Sequence, residues 1–118
     1  MISIPMCTVS GMNARENWRK RAKRVKAERE LVGWYLGMGE LIGKLEKRLP
    51  CVVTLTRVGP TNGLDSDNLV SSMKAPRDQI AEWLGVDDRK DDLVRYVCRQ
   101  QRGPEWLVQI EINDMETA

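Results

Sequence analysis

Histidine is absent from this sequence of 118 residues. Without an imidazole, the chain by itself forms neither a Ser–His nor a Cys–His nucleophile pair, so that class of covalent catalysis is excluded. The three cysteines, Cys7, Cys51 and Cys98, are far apart in the sequence and form no CxxC pair. A zinc site is therefore not expected, and we expect three reduced cysteines packed as small apolar groups.

Long apolar runs are also missing. No stretch approaches the ~18 consecutive apolar residues that a membrane-spanning helix needs. Residues 1–12 lack the basic start and apolar segment of a secretion signal. The sequence contains no internal repeat and no low-complexity tract. We expect a soluble, cytoplasmic protein with no membrane partner, folded as a single domain over residues 1–118.

The formal net charge is only +2, yet charges of one sign are concentrated in two places. Residues 15–29 contain eight Lys or Arg and two Glu, whereas residues 82–92 contain five acids and two bases. Clustered Lys and Arg are what phosphate neutralisation by a nucleic-acid-binding protein requires. The competing interpretation is the solvated face of an amphipathic helix, although the density exceeds what solubility alone needs. We call residues 13–36 the basic arm; its candidate DNA-contacting side chains are Arg15, Arg19, Lys20, Arg21, Lys23, Arg24 and Lys26.

Apolar periodicity predicts an α+β domain with a small mixed sheet of about four strands and helices packed on it. The expected strands cover residues 2–9, 51–58, 93–100 and 106–112. A turn at Gly103-Pro104 is expected to join the last two as a hairpin over residues 92–113.

Two helical regions are expected between these strands. Asn13 is the candidate N-cap of the first, which begins near Arg15. A break near residues 37–39 is expected because each interior glycine costs about 1 kcal/mol, and a helical face resumes over residues 41–49. The second helix ends at Gly85. The buried stripe of the first helix is expected to comprise Trp18, Ala22, Val25, Val32 and Leu36.

Carboxylates are grouped where the second helix begins and again after it ends. Asp65 and Asp67 stand at i and i+2, which places both side chains on one side of an extended stretch, and Asp87 and Asp88 follow the helix. Carboxylates without histidine or thiolate suit a hard cation such as Mg²⁺ or Mn²⁺. Such a cation lowers the pKa of a bound water and neutralises charge on a phosphoryl group. The competing interpretation is helix capping by any of residues 65–68, together with ordinary solvated acids.

A polar stripe continues from these carboxylates. Asp67, Ser71, Lys74 and Asp78 are spaced by 4, 3 and 4 residues, which is one face of a regular helix. A lysine on the carboxylate face can stabilise negative charge on a phosphate. An ordinary surface pair between Lys74 and Asp78, worth a few tenths of a kcal/mol, explains the spacing equally well.

These residues resemble the core signature of the RusA family of Holliday junction resolvases. The matching segments are Asp65-Ser66-Asp67-Asn68-Leu69, Lys74-Ala75-Pro76-Arg77-Asp78-Gln79-Ile80 and Gly85-Val86-Asp87-Asp88. The flanking segments 50–55 and 106–112 are similar to the family's strands on either side. The resemblance covers roughly residues 50–113.

The resemblance implies a dimeric, Mg²⁺-dependent endonuclease of bacterial or phage origin that cuts four-way DNA junctions in recombination and repair. It places the essential carboxylates at Asp65, Asp67 and Asp88, with Asp87 as a supporting or alternative metal ligand. The family's catalytic lysine falls four residues after the second Asp, at Ser71 here. Lys74 takes that role only if a helical turn has been inserted.

We therefore expect a homodimer that hydrolyses DNA phosphodiesters at branched junctions without a small-molecule cofactor. The alternative is a non-catalytic DNA-binding or interaction module that keeps the fold, and Ser71 at the lysine position favours it.

Distance along the chain raises a conflict for a site within one subunit. A straight helix over residues 67–84 would separate its ends by ~25 Å, and the four steps to Asp88 recover at most ~14 Å. Either the helix breaks near Pro76 and folds back, or the dimer partner supplies Asp88 across a two-fold interface. The position of Pro76 near the middle of the segment favours the break.

Overall fold

Four strands and three helices make up the described part of the protein, and the strands form one mixed sheet. The structure is a computed structural model that describes residues 1–10, 16–87 and 92–115. In chain order its elements are β1 (Ile2–Ile4), α1 (Trp18–Leu41), β2 (Cys51–Gly59), α2 (Ser66–Ser72), α3 (Lys74–Leu84), β3 (Val94–Arg102) and β4 (Leu107–Asp114). The predicted α+β class with about four strands is confirmed.

The strand order is β1-β4-β2-β3, which places β2 inside the sheet. β2 pairs in parallel with β3, from Cys51 opposite Val94 to Gly59 opposite Arg102, and pairs antiparallel with β4 on its other side. The predicted hairpin between the last two strands is therefore wrong, because β2 lies between them. Alternating residues of β2 are fully buried, whereas the second half of β3 is exposed and polar, so β2 suits the centre and β3 an edge.

The connection from β3 to β4 crosses the end of β2. The backbone N–H of Gly103 donates to the carbonyl of Gly59 at 3.0 Å, and Trp106 packs over Gly59. A Cβ on Gly59 would lie 2.1 Å from the indole ring. Glycine is required there because no side chain fits beneath the ring.

Helix α1 begins later than the sequence predicts and does not break. Its N-cap is Asn17, whose side chain accepts the N–H of Lys20 at 2.9 Å; the expected cap, Asn13, lies outside the described residues. The helix continues through Gly37 and Gly39. A Cβ on Gly39 would lie 2.8 Å from a methyl group of Ile2, so this glycine permits close packing of α1 on β1. The expected helical face over residues 41–49 is absent, because α1 ends at Leu41 and the chain then turns.

The buried stripe of α1 occupies only its second half. Val32 and Leu36 are fully buried, as predicted, but Trp18 is 73% exposed and Ala22 is exposed. The side chains on the first turns of α1 are thus mostly exposed, so helical periodicity there does not correspond to core packing.

The second predicted helix is divided at Met73 into α2 and α3. Pro76 lies in the first turn of α3, where its missing N–H is not needed. A continuous helix would place the proline ring against the carbonyl of Ser72, four residues earlier. The chain relieves this clash at Met73, so the predicted break exists but lies three residues before the proline.

The core fills the space between the sheet and the helices. Its fully buried members include Ile4, Leu36, Leu55, Met73, Ile80 and Ile110. Cys51 is buried and Cys98 is partly buried, and burial raises the pKa of both thiols. Cys7 is exposed, contrary to the expectation that all three are packed. Within the described ranges, no helix combines the length and apolar character required to span a membrane.

Candidate carboxylate site and its supporting contacts

Asp65 and Asp67 lie at the start of α2, after a loop that follows β2. Asp65 is the N-cap: its backbone is extended, and its Oδ1 accepts the N–H of Asn68 at 2.9 Å. Asp67 is in the first helical turn, so the two residues do not share one extended stretch as predicted. Both side chains are exposed. One oxygen of Asp65 is thus occupied by capping, while its second oxygen and the Asp67 carboxylate face solvent.

An N-terminal segment holds α2 in place. Thr8 and Ser10 are almost fully buried although neither is in a strand. The Ser10 hydroxyl donates to Oδ1 of Asn68 at 2.5 Å, and the Thr8 hydroxyl donates to the hydroxyl of Ser72 at 3.2 Å. Residues at both ends of α2 are therefore tied to the same extended segment.

The loop before Asp65 is tied to β3 by one side chain. The Gln100 side-chain carbonyl accepts the backbone N–H of Leu64 at 2.8 Å, and its amide donates to the Leu64 carbonyl. Gly63 lies against this amide, where a Cβ would be 2.4 Å from the oxygen. The position of Asp65 is therefore set by β3 as well as by the N-terminal segment.

The predicted polar stripe continues across the break between α2 and α3. Lys74 is 78% exposed, and its Nζ donates to Asp78 at 3.1 Å. Ser71, Lys74 and Asp78 line one cavity of about 410 Å³ together with Arg21 and Arg24 of α1. The surface pair expected as the alternative is present, and the same lysine lies at the edge of a cavity that faces the basic arm.

Asp87 is separated from Asp65 and Asp67 along the chain by most of α2 and by α3. Because β2 and β3 are parallel, α2 and α3 carry the chain from the carboxyl end of β2 to the amino end of β3. Leu64 is hydrogen-bonded to Gln100, near the carboxyl end of β3. The amino end of β3, at Val94, is six residues and therefore about 20 Å away from Gln100 at 3.3 Å per residue. Asp87 is exposed three residues after the end of α3, and Asp88 lies outside the described residues. Among the described residues, no group of three or more carboxylates or thiols is close enough to hold a metal ion.

The cations of the basic arm divide into paired and exposed sets. Arg24 donates to Glu16 at 2.6 Å and to Glu28 at 3.3 Å. Lys26 is 4.0 Å from Glu30, and both side chains are largely exposed. Arg15 lies outside the described residues. The arm cations that are exposed and absent from the described ion pairs include Arg19, Lys20 and Lys23.

The pKa values of two acids beside Arg24 are shifted in opposite directions. The hydrogen bond from Arg24 lowers the pKa of Glu16. Burial raises the pKa of Glu28, against the opposing effect of Arg24. One oxygen of Glu28 is buried and has no hydrogen-bond partner among the residues that the structure describes. Arg24 is thus engaged in a structural network and is less accessible to a nucleic acid than the sequence suggests.

The donors at the start of α2 are of the chemical type that Mg²⁺ prefers. Magnesium in proteins is commonly held by one or two carboxylates, and substrate phosphates and waters complete its coordination. Asp65 and Asp67 are exposed carboxylates of this kind, and the sequence contains no histidine that would favour a softer metal.

Part of the chain is similar to a curated bacterial protein. A curated protein of Xylella fastidiosa (strain Temecula1 / ATCC 700964), described as an uncharacterized protein, is 38% identical over 82 residues. The alignment covers 66% of this chain and 52% of the relative, so the chain spans about half the length of the curated relative it matches. No protein-family model matches the chain, and no solved structure matches it.

Several residues that support the site were not singled out from the sequence. Thr8, Ser10 and Ser72 are small polar residues whose partners are more than fifty positions away. Gln100 has the sequence pattern of a solvated edge-strand residue. Asn68 did carry a signal, since it directly follows the Asp-x-Asp pair, and its contact with Ser10 explains why an amide is useful there.

Proposed function

We propose that this protein is a Mg²⁺-dependent endodeoxyribonuclease that acts on branched DNA such as Holliday junctions. The observation that carries the proposal is the pair of exposed carboxylates, Asp65 and Asp67, on a segment tied to β3 and to the N-terminal segment. The resemblance of residues 64–88 to the RusA signature is the basis for the proposed reaction, phosphodiester hydrolysis, and for the proposed substrate class, branched DNA. A role in DNA recombination and repair, in the cytoplasm of a bacterium or in a phage-infected cell, belongs to the same proposal.

Each group has a defined task in this proposal. Asp65 and Asp67 bind the cation, with Asp88 and Asp87 completing the set, and Mg²⁺ when bound supplies an activated water and neutralises phosphate charge. One oxygen of Asp65 accepts the Asn68 N–H, and this hydrogen bond orients the Asp65 carboxylate. Lys74, released from Asp78, stabilises negative charge on the phosphate.

The exposed cations of α1 contact the DNA backbone. Arg19, Lys20 and Lys23 are on the part of the helix that extends beyond the core, where a duplex arm can approach them. A homodimer provides two equal sites for the two strands of a junction. Exposed apolar side chains on and after α1 offer a surface for association, including Trp34, Leu41 and Ile42.

The second candidate is a DNA-binding or interaction module without catalysis. Ser71 favours it, because this half-buried serine occupies the position where the family carries its lysine. Lys74 lies one helical turn further on and is engaged with Asp78.

A synthetic four-way junction incubated with the protein and Mg²⁺ or Mn²⁺ distinguishes the two. We expect paired nicks in opposing strands that require the metal and are absent with Asp67→Asn. The Glu111→Gln variant is the matched control, since it removes an exposed carboxylate on β4 that is not assigned to the metal and does not contact Lys74 in the described ion pairs. Tight junction binding without cleavage in either metal would select the non-catalytic module.

A further inference from the structure

Arg57 is a buried cation whose described contacts include no acid. It lies on β2 with only 9% of its surface exposed. Its Nε and Nη2 donate to the Thr8 carbonyl at 3.3 and 3.2 Å, and its guanidinium lies 4.8 Å from the centre of the Trp106 ring. None of the ion pairs among the described residues includes Arg57. The carbonyl and the ring orient the guanidinium, but neither carries the full negative charge that a buried cation needs.

The guanidinium borders a small polar cavity of about 270 Å³. A second arginine, Arg102 at the end of β3, lines the same cavity. Its described lining includes no acidic side chain. Its polar lining residues also include Thr61, Asn62, Gly63 and Gln100. Two arginines and several neutral donors around a cavity without acids form an anion site, and a guanidinium matches the geometry of phosphate oxygens.

The cavity adjoins the loop that leads to the carboxylate pair. Gly63, which lines the cavity, is two residues before Asp65. Gln100 also lines the cavity, and its side chain is hydrogen-bonded to Leu64, the residue between Gly63 and Asp65. We propose that this cavity binds a backbone phosphodiester of the DNA strand, next to the phosphate that lies at Asp65 and Asp67. The inference rests on the proposed function for its choice of DNA as the source of the phosphate. Arg57 and Arg102 are then positioning residues that set which phosphate reaches the carboxylates.

Inorganic phosphate is the first probe, because it tests the cavity without metal, DNA or cleavage. It is titrated at constant ionic strength while NMR follows the Arg57 Nε–Hε signal and the backbone amides of Asn62 and Gly63. We expect saturable shifts confined to the cavity. Arg102→Gln should weaken phosphate binding about fivefold, the loss expected for one solvent-exposed charge pair. Arg99→Gln, an exposed arginine on the same strand, is the matched control and should leave binding unchanged.

Arg57→Lys is a further variant that keeps the charge and loses the fork of donors. Because Arg57 is buried, that variant is informative only if it melts cooperatively; the exposed Arg102→Gln keeps the test valid if it does not. Shifts that do not saturate, or that are equal in Arg102→Gln and the native protein, would overturn the anion site.

The second arm uses a four-way junction in EDTA. We expect DNA to displace phosphate from the cavity, and Arg102→Gln to reduce the log–log salt dependence of junction binding by about 0.9 for one lost phosphate contact. Displacement without later cleavage in Mg²⁺ would retain the subsite and reject the nuclease. Phosphate binding that a saturating junction leaves intact would instead assign the cavity to a free anion and overturn the DNA subsite.

Discussion

Asp65 has two tasks that a single substitution can separate. Asparagine keeps the side-chain oxygen that accepts the Asn68 N–H, and it is as good an N-cap as aspartate, whereas alanine removes the acceptor. We expect Asp65→Asn to abolish cleavage with little change in the free energy of unfolding without metal. Asp65→Ala should also abolish cleavage and should cost about 1 kcal/mol of stability. Thermal melts and junction cleavage measure the two effects. Cleavage by Asp65→Asn at the native rate would remove this residue from the metal site.

Gly59 is required by packing. Its substitution by alanine would place a methyl group inside the van der Waals radius of the Trp106 ring, so the connection between β3 and β4 must shift. We expect Gly59→Ala to lower the free energy of unfolding by about 1–3 kcal/mol, the usual cost of overpacking. Gly37→Ala is the control: apart from its own helix backbone, no atom of the described residues lies within 4 Å of its added Cβ, and it should stabilise α1 by about 1 kcal/mol. Equal urea midpoints for both variants would contradict the close contact with Trp106.

Helix α1 combines a core half with a charged half, and Glu28 lies where they meet. Burial raises the pKa of Glu28, so the folded state binds its proton more tightly than the unfolded chain. The stabilisation from that proton is fully present below the ordinary value of 4.5 and is lost as the pH rises through the raised pKa. We expect Glu28→Gln to raise the melting temperature at pH 7 and to lose this advantage below pH 4.5.

Glu30→Gln is the matched control on the same helix, since Glu30 is 69% exposed. Its melting temperature should follow that of the native protein at each pH. A Glu28→Gln variant that is less stable at pH 7 would mean that the Arg24 ion pair outweighs the burial of the charge.

The exposed cations on the first turns of α1 are expected to act through DNA phosphates. Replacing Arg19, Lys20 and Lys23 together by glutamine should weaken junction binding and lower the log–log salt slope by about 0.9 for each lost contact. The control carries the same change in net charge on other surfaces, at Lys44, Arg95 and Arg99. Equal slopes for the two triple variants would reassign this part of α1 to an ordinary solvated helix.

At the scale of the whole molecule, the parallel pairing of β2 with β3 decides how a metal site can be assembled. The break at Met73 relieves the clash with Pro76, yet within the described residues Asp87 does not form a metal-binding group with Asp65 and Asp67. We therefore expect a composite site, in which Asp88 reaches Asp65 from the partner subunit. A mixed dimer of one Asp65→Asn subunit with one Asp88→Asn subunit should nick one strand of the junction.

The expected activity of the mixed dimer depends on how the two substitutions are distributed between its two sites. If the sites are composite, one site of the mixed dimer collects both substitutions and the other remains intact. If each site lies within one subunit, both sites carry one lesion and the mixed dimer is inactive. Both parental homodimers serve as controls and should be inactive in either case.

The fold class followed from local patterns. Alternating apolar residues predicted β2 and β4, Gly85 predicted the end of α3, and Pro76 predicted an interruption of the second helical region. These features depend on side-chain size, backbone freedom and periodicity within a few neighbours, so the order of residues determines them. The same applies to the choice of Asp65 and Asp67 as candidate ligands, since their spacing and the absence of histidine are properties of the sequence itself.

The arrangement of the sheet and the support of the site required tertiary structure. Nothing local tells β3 to pair with β2 instead of β4, because both pairings satisfy the same backbone groups; burial of β2 at the centre makes the difference. The contacts of Thr8, Arg57 and Gln100 join residues 36 to 64 positions apart. Their strength depends on burial and distance, which exist only after the chain has folded. The sequence by itself thus determined the elements and the candidate carboxylates, and the tertiary structure decided which groups stand beside them.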